Sequence, residues 1–359
     1  MAVPSTTPRG RGAQTNTTGR FESQQNETFD DGWTDEDAKP RTLTTTVTAE
    51  TARVIITRND SPDVGFDRSI NPYRGCEHGC IYCYARPAHA FMGLSPGLDF
   101  ESKLFFKPQA AALLTQELSK PTYKPRVIHI GGNTDPYQPQ EKRLQITRQI
   151  IEVMAQFQHP FSIITKSALI ARDIDLMAPM AAAGLVRVAV SVTTVDRTLA
   201  RAMEPRAATP ARRLWAVQQL ADAGIPVTVM FAPVIPGLND HEMETVLECA
   251  ARAGASGASY VALRLPREIK DLFREWLEAE RPDRASRVIS LVRQMRGGQD
   301  YDVKWFSRMK GEGPIAELMA KRFALATKKL SLNTDRTPLD LNRFSPPPNR
   351  GSQLDLFSA

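Results

Sequence analysis

Cysteine is scarce in this chain: four among 359 residues, three of them within eight positions. A disulfide framework spreads paired cysteines along a chain, so that architecture is excluded, and the crowding fits a metal site in a reducing compartment. No run of about twenty apolar residues occurs, which excludes a membrane-spanning helix. The opening MAVPSTTPRGRGA lacks the apolar core of a secretory signal, so the expected location is the cytoplasm.

What the chain does have is bulk and a basic body. An apolar fraction of 42% supports a sizeable core, and the length suits one large α/β domain with an appendage. The formal charge is +6. The first fifty residues carry five basic and eight acidic side chains, about −3, so the remainder is about +9. Such a surface is compatible with DNA, because phosphates reward Lys and Arg, and charge alone does not require it.

Residues 1–52 are rich in Thr, Gly, Asn, Gln and acids without apolar period, and read as a mostly disordered tail. From Arg53 an alternation begins, with ARVIITRN as its first strand. Short apolar runs follow at 127–132, 161–166, 186–193, 226–234 and 259–265, separated by helical patterns. Gly184, Gly224 and Gly254 fall where helix C-caps belong. The expected fold is α/β, a partial (βα)6 TIM-like barrel over 53–265, although spacing alone does not separate a barrel from an open sheet. A C-terminal helical extension over 266–340 and a linker with a terminal peptide over 341–359 complete the expected plan.

Cys76, Cys80 and Cys83 form C-x3-C-x2-C in SINPYRGCEHGCIYCYARP. Three thiolates on one loop can hold three irons of a cubane [4Fe–4S] cluster and leave the fourth iron open to a small chelating molecule. The alternative is a zinc site that adds His78 or His89, although zinc ligands usually come as two separated pairs. The count of cysteines leaves no second cluster. Cys249, in a helical pattern, reads as packing.

The motif with an aromatic before the last cysteine resembles the radical S-adenosylmethionine superfamily. DRSINPYRGCEHGCIYCYARP, GGNTDPYQPQE, MEPRAATPARRL and APVIPGLND resemble its spore photoproduct lyase-like branch, over about residues 50–345. The resemblance implies that S-adenosylmethionine chelates the open iron and is cleaved reductively to a 5′-deoxyadenosyl radical, with the electron from a flavodoxin- or ferredoxin-type donor. It places Tyr82 near the adenine. Gly131, Gly132, Asn133, Thr134 and Asp135 stand at the region that binds the methionine amino group. Asn133 replaces the usual acid there, which leaves that role to Thr134 or Asp135. Ser191 matches a cofactor-contacting position, and Pro236 and Gly237 a loop used against adenine. Tyr84 and Tyr137 are the candidates for returning hydrogen, since Val190 stands where spore photoproduct lyase has a cysteine.

Lys166, Arg206 and Arg264 are candidates for carboxylate or phosphate binding, with a salt bridge as the alternative for each arginine. In the terminal SQLDLFSA, Gln353, Leu354, Leu356 and Phe357 resemble the pentapeptide that binds the bacterial sliding clamp, displayed on a Pro-rich linker. The reading is a radical enzyme acting on a DNA lesion or modified nucleic acid. The alternatives are radical modification of RNA or a small molecule, and a non-catalytic metal-binding adaptor docked on the clamp.

Overall fold

The computed structural model describes residues 10–22, 43–335 and 337–347. The clamp-like motif at 353–357 lies outside the described residues. Strands in chain order are β1 (Thr46–Ala49), β2 (Ile56–Arg58), β3 (Arg68–Ile70), β4 (Tyr73–Arg74), β5 (Lys103–Phe106), β6 (Ile128–Ile130), β7 (Phe161–Thr165), β8 (Val186–Ser191), β9 (Val227–Val234) and β10 (Gly257–Ala262). Helices are α1 (Leu98–Ser102), α2 (Ala110–Leu118), α3 (Glu141–Leu144), α4 (Ile146–Gln156), α5 (Ile174–Ala182), α6 (Arg197–Met203), α7 (Pro210–Asp222), α8 (Met243–Arg252), α9 (Ile269–Glu280), α10 (Pro282–Gln294), α11 (Ser307–Lys310) and α12 (Gly313–Lys329).

The main sheet runs β10-β9-β8-β7-β6-β3-β2. β3 and β6 to β10 are mutually parallel, with Ser69 opposite His129 and Ile163 opposite Val188. Their order follows the chain without reversal, so right-handed crossovers put every connecting helix on one face. A doubly wound sheet reverses and is covered on both faces. The partial barrel is therefore the fold, open between β2 and β10. One expectation is corrected: ARVIITRN does not supply the first barrel strand. β2 is an added antiparallel edge (Thr57 opposite Ser69), and β3 opens the parallel series.

Strand periodicity decides the faces. Ile128, Ile130, Phe161, Ile163, Val188, Val190, Val227 and Val229 are buried against Leu114, Ile150, Met154, Met177, Val217, Leu220, Val246 and Leu247 of the helices. Each such side chain contributes about 1.5–3 kcal/mol by leaving water. Intervening residues such as His129, Ser162, Ala189, Thr228 and Met230 remain partly open on the inner face.

A small sheet, β1-β5-β4, flanks the cysteine loop, which starts directly after β4. α9 and α10 pack Leu272, Phe273, Trp276, Leu277, Val288 and Val292 against Ile81, Tyr82, Met203, Ile235 and Leu238, which lie at the strand C-terminal ends. Within the expected tail, residues 10–22 and 43–52 have a described structure. Ala13 is fully buried and Arg11 is 6% exposed, because both find partners around the cysteine loop.

Candidate metal and cofactor site

Cys76 and Cys80 are buried and Cys83 is partly so, on a loop pinned at both ends. The Cys76 amide donates to the Phe100 carbonyl, and the Ile81 amide to Met203. Gly75 (φ 71°) and Gly79 (φ 68°) make the turns; a Cβ at Gly75 would lie 2.9 Å from the Phe100 carbonyl oxygen. Arg86, wholly buried, donates to the carbonyls of Cys80 (2.9 Å) and Gly79 (3.2 Å) and pairs with buried Glu101. Gln138 holds Gly75 and Glu77 from the other side. Burial pushes the Cys80 thiol up to about 12 and raises that of Cys76, so these two thiols ask for a metal cation before they will ionise.

The donor set suits a cluster better than a lone ion. Among the described residues, no three His, Cys, Asp or Glu side chains converge around a single metal. A tetrahedral zinc needs all its ligands at about 2.0–2.3 Å. A cubane takes its thiolates on separate irons, further apart. His89 is turned away, its Nε2 at 2.9 Å from the Lys103 carbonyl and its ring edge-on to Phe100. His78 Nδ1 lies 3.4 Å from Asp135 Oδ2.

At the end of β6, Gly131 (φ 93°) brings the chain within contact of Pro136 and Ile164. Asp135 is committed to the protein's own donors. Its carboxylate accepts from Thr165 Oγ1 (2.6 Å), the Lys166 amide (2.7 Å) and the Tyr137 amide (2.9 Å). Burial works against its charge, but His78 and these hydrogen bonds hold its pKa down to about 2. Thr134 is likewise committed, donating to the Tyr73 carbonyl. Asn133, whose amide nitrogen is fixed by Asn71, keeps a partly exposed side chain.

Tyr82 buries its hydroxyl on Glu204 and Thr193, with Lys166 Nζ 5.7 Å from its ring centre. Glu204 also accepts from Thr193 (2.8 Å) and pairs with buried Arg213. Burial opposes its charge, and Arg213 and Lys166 hold its pKa near 2. Burial likewise opposes the Lys166 charge, yet neighbouring Cys80 and Glu204 raise its pKa. Ser191 is buried at the end of β8, its carbonyl accepting from Arg213. Tyr84, 47% exposed, donates to the Gly132 carbonyl, and the Arg264 guanidinium stands 5.4 Å from its ring. Among the described residues, Arg264 is also within 3.4 Å of the Tyr301 hydroxyl and 3.5 Å of Met309 Sδ.

Three expectations change. Tyr137 is fully buried and donates to Asp173 at 3.0 Å beside Arg172, in the packing under the strand ends. Arg206 pairs with Glu77 of the cysteine loop. Gly237 leans on Leu291 of α10, while buried Asn239 organises that turn through Ile235, Thr193 and Pro233. Asn239, Glu204, Arg213, Arg86, Glu101 and Gln138 escaped the sequence reading. The quoted motifs contain several of them, but nothing local marks their partners.

A one-faced parallel sheet with a three-thiol loop at its strand C-terminal ends is the arrangement of a barrel enzyme, whose sites gather at those ends. The model of the radical SAM superfamily matches residues 70–250, half of the chain, and the chain belongs to that superfamily. It is accordingly an enzyme of a class that works with a [4Fe–4S] cluster, S-adenosylmethionine and an electron donor. An uncharacterised protein of Mycobacterium tuberculosis is 38% identical over 231 residues, 64% of this chain and 68% of that protein. One of Methanocaldococcus jannaschii is 28% identical over 173 residues, 48% of this chain and 62% of its own. Spore photoproduct lyase complexed with dinucleoside spore photoproduct shares the fold at a TM-score of 0.59 and 14% identity, over 79% of each chain. Among the described residues no helix is long and apolar enough to cross a membrane.

Proposed function

We propose that Cys76, Cys80 and Cys83 ligate a [4Fe–4S] cluster, and that the enzyme acts on a DNA lesion or modified nucleic acid. The observation that carries the first part is the set of three thiols on one pinned loop, two buried and one partly so, with His89 turned to the Lys103 carbonyl and His78 facing Asp135. When bound, the cluster supplies the single electron that cleaves S-adenosylmethionine to a carbon radical.

The protein's own groups then divide the work. Asn133 and the backbone at Gly132 present polar atoms for the amino end of the cosubstrate. Lys166 supplies positive charge to its carboxylate. Tyr82, held by Glu204, backs the adenine side. Tyr84 is exposed at the opening with its hydroxyl hydrogen on the Gly132 carbonyl, which suits it to return hydrogen. Val190 is buried and carries no such hydrogen. Arg264, with only weak partners, suits a phosphate of the substrate.

Support for nucleic acid comes from the +6 charge and from the fold shared with a lyase solved with a dinucleoside photoproduct. Anaerobic protein should take up four irons and release 5′-deoxyadenosine from S-adenosylmethionine and dithionite. A tightly bound single zinc and no 5′-deoxyadenosine would end this reading. Turnover on a panel of damaged DNAs, with hydrogen transfer followed by isotope label, tests the substrate. The terminal QLDLF adds a partner, the bacterial sliding clamp. Leu356→Ala/Phe357→Ala should abolish retention in a clamp pull-down.

A further inference from the structure

The N-terminal segment 10–19 crosses the cysteine loop at Gly79 and the turn before α1 at Gly97, and only glycine fits at either crossing. A Cβ at Gly12 would stand 1.8 Å from the Gly79 carbonyl oxygen, and one at Gly97 2.3 Å from the Thr15 carbonyl oxygen. Backbone therefore touches backbone, which a loosely laid tail does not do. Side chains secure both crossings. Arg11 donates to the carbonyls of Glu101 (2.7 Å) and Leu43 (2.7 Å) and to Thr45 Oγ1 (2.8 Å). Asn16 and Asp99 exchange hydrogen bonds of 3.1 and 3.0 Å.

The chemistry passes through one carboxylate. Glu101 is fully buried and accepts from the Gly12 amide at 2.9 Å, the Ala13 amide at 2.9 Å and the Arg86 guanidinium. Arg86 in turn holds the carbonyls of Gly79 and Cys80. Without the segment, Glu101 would lose two charge-assisted donors and Arg86 would hold the loop with a partner short of hydrogen bonds. Ala13 also joins the apolar group of Cys80, Ile81 and Tyr82, and so keeps water off that side.

We propose that residues 10–19 are a strap belonging to the cluster site. Through Glu101 and Arg86 they position Cys80, and they close the rear of the loop to water and dioxygen. The proposal rests on the cluster reading given above. The Gly12→Val variant of the full chain should release the strap. Its cluster absorbance near 410 nm should bleach in air at least fivefold faster than wild type, with a broadened EPR signal after reduction. Amides of residues 12–19 and 79–81 should exchange faster. Leu318→Ala, exposed on α12 and outside the strap, should match wild type in each readout.

Bleaching within twofold of wild type while the strap amides exchange freely would overturn the proposal, as would strap amides that stay protected in Gly12→Val. Should Gly12→Val not fold, Arg11→Ala/Asn16→Ala removes the side-chain anchors without adding volume, and the same readouts apply. Wild-type protein without 410 nm absorbance would refute the cluster reading, whereas exchange protection of the strap would still be measurable.

Discussion

His159 shows how far a single buried side chain can be specified. It is fully buried, its Nδ1 lies 3.0 Å from the Pro160 carbonyl and its Nε2 lies 2.8 Å from the Tyr123 hydroxyl. A carbonyl only accepts, so the proton is on Nδ1, Nε2 accepts from Tyr123, and the ring is neutral. Burial lowers its pKa from 6.5 to about 4, and burial does the same to His89 and His129. A folded-state pKa below the unfolded value means that the unfolded chain binds more protons between those pH values. Stability should therefore fall as pH drops from about 6.5 towards 4, by up to about 3 kcal/mol for His159. Thermal unfolding across that range checks it: wild type should lose its midpoint steadily, and His159→Gln should show a shallower dependence. A wild-type midpoint flat between pH 6.5 and 4.5 would refute this account.

At the scale of elements, the join of α6 to α7 is a buried charge pair. Glu204 closes α6, and Arg213 lies in the first turn of α7. Both are almost inaccessible and both reach the strand ends, Glu204 through Thr193 and Tyr82, Arg213 through the Ser191 carbonyl. Removing one member of such a pair strands the other without water, a loss of about 3–5 kcal/mol. Glu204→Ala should lower denaturant stability by that order, and Glu204→Ala/Arg213→Ala should recover part of it. A double variant no more stable than the single one would show that the pair is not the coupled unit. The end of α7 was legible, whereas α6 had no counterpart in the sequence pattern. Gly184, Gly224 and Gly254, placed at helix C-caps from the sequence, each follow a helix with positive φ. The same local reading gave no sign that Glu204 faces inward, because an acid at a helix end is ordinarily solvated.

Across the whole molecule, the open side of the barrel is tied by contacts between distant parts of the chain. Asp63, in the turn before β3, pairs with Arg308 and accepts from the Phe306 amide. Arg308 also donates to Ser61 (2.7 Å). Arg296 fixes the same C-terminal segment to the Leu263 carbonyl (2.8 Å) beyond β10 and to the Ser307 carbonyl. Phe306 has φ 64°, and the Ser307 amide bonds back to Trp305, a tight turn that costs about 1–3 kcal/mol and persists only where its surroundings hold it. Asp63→Ala removes two of those supports. Hydrogen exchange in residues 302–310 should rise at least tenfold, with little change at β7 and β8. Unchanged exchange there would mean the open side is closed by other contacts.

The sequence by itself determined what depends on neighbours within a few residues: the cysteine loop, the alternation of buried strands with helices, and the caps that end the helices. These signals are local because hydrogen-bond geometry and side-chain periodicity are local. Tertiary structure alone decided the partners. It set Glu77 on Arg206, Glu204 on Arg213, Asp135 on Thr165 and the strand-end amides, and Glu101 on the amides of a segment that composition marked as a tail. One carboxylate reads like another along a chain, and which arginine or amide it meets is fixed only when packing closes off the water that would otherwise serve them all.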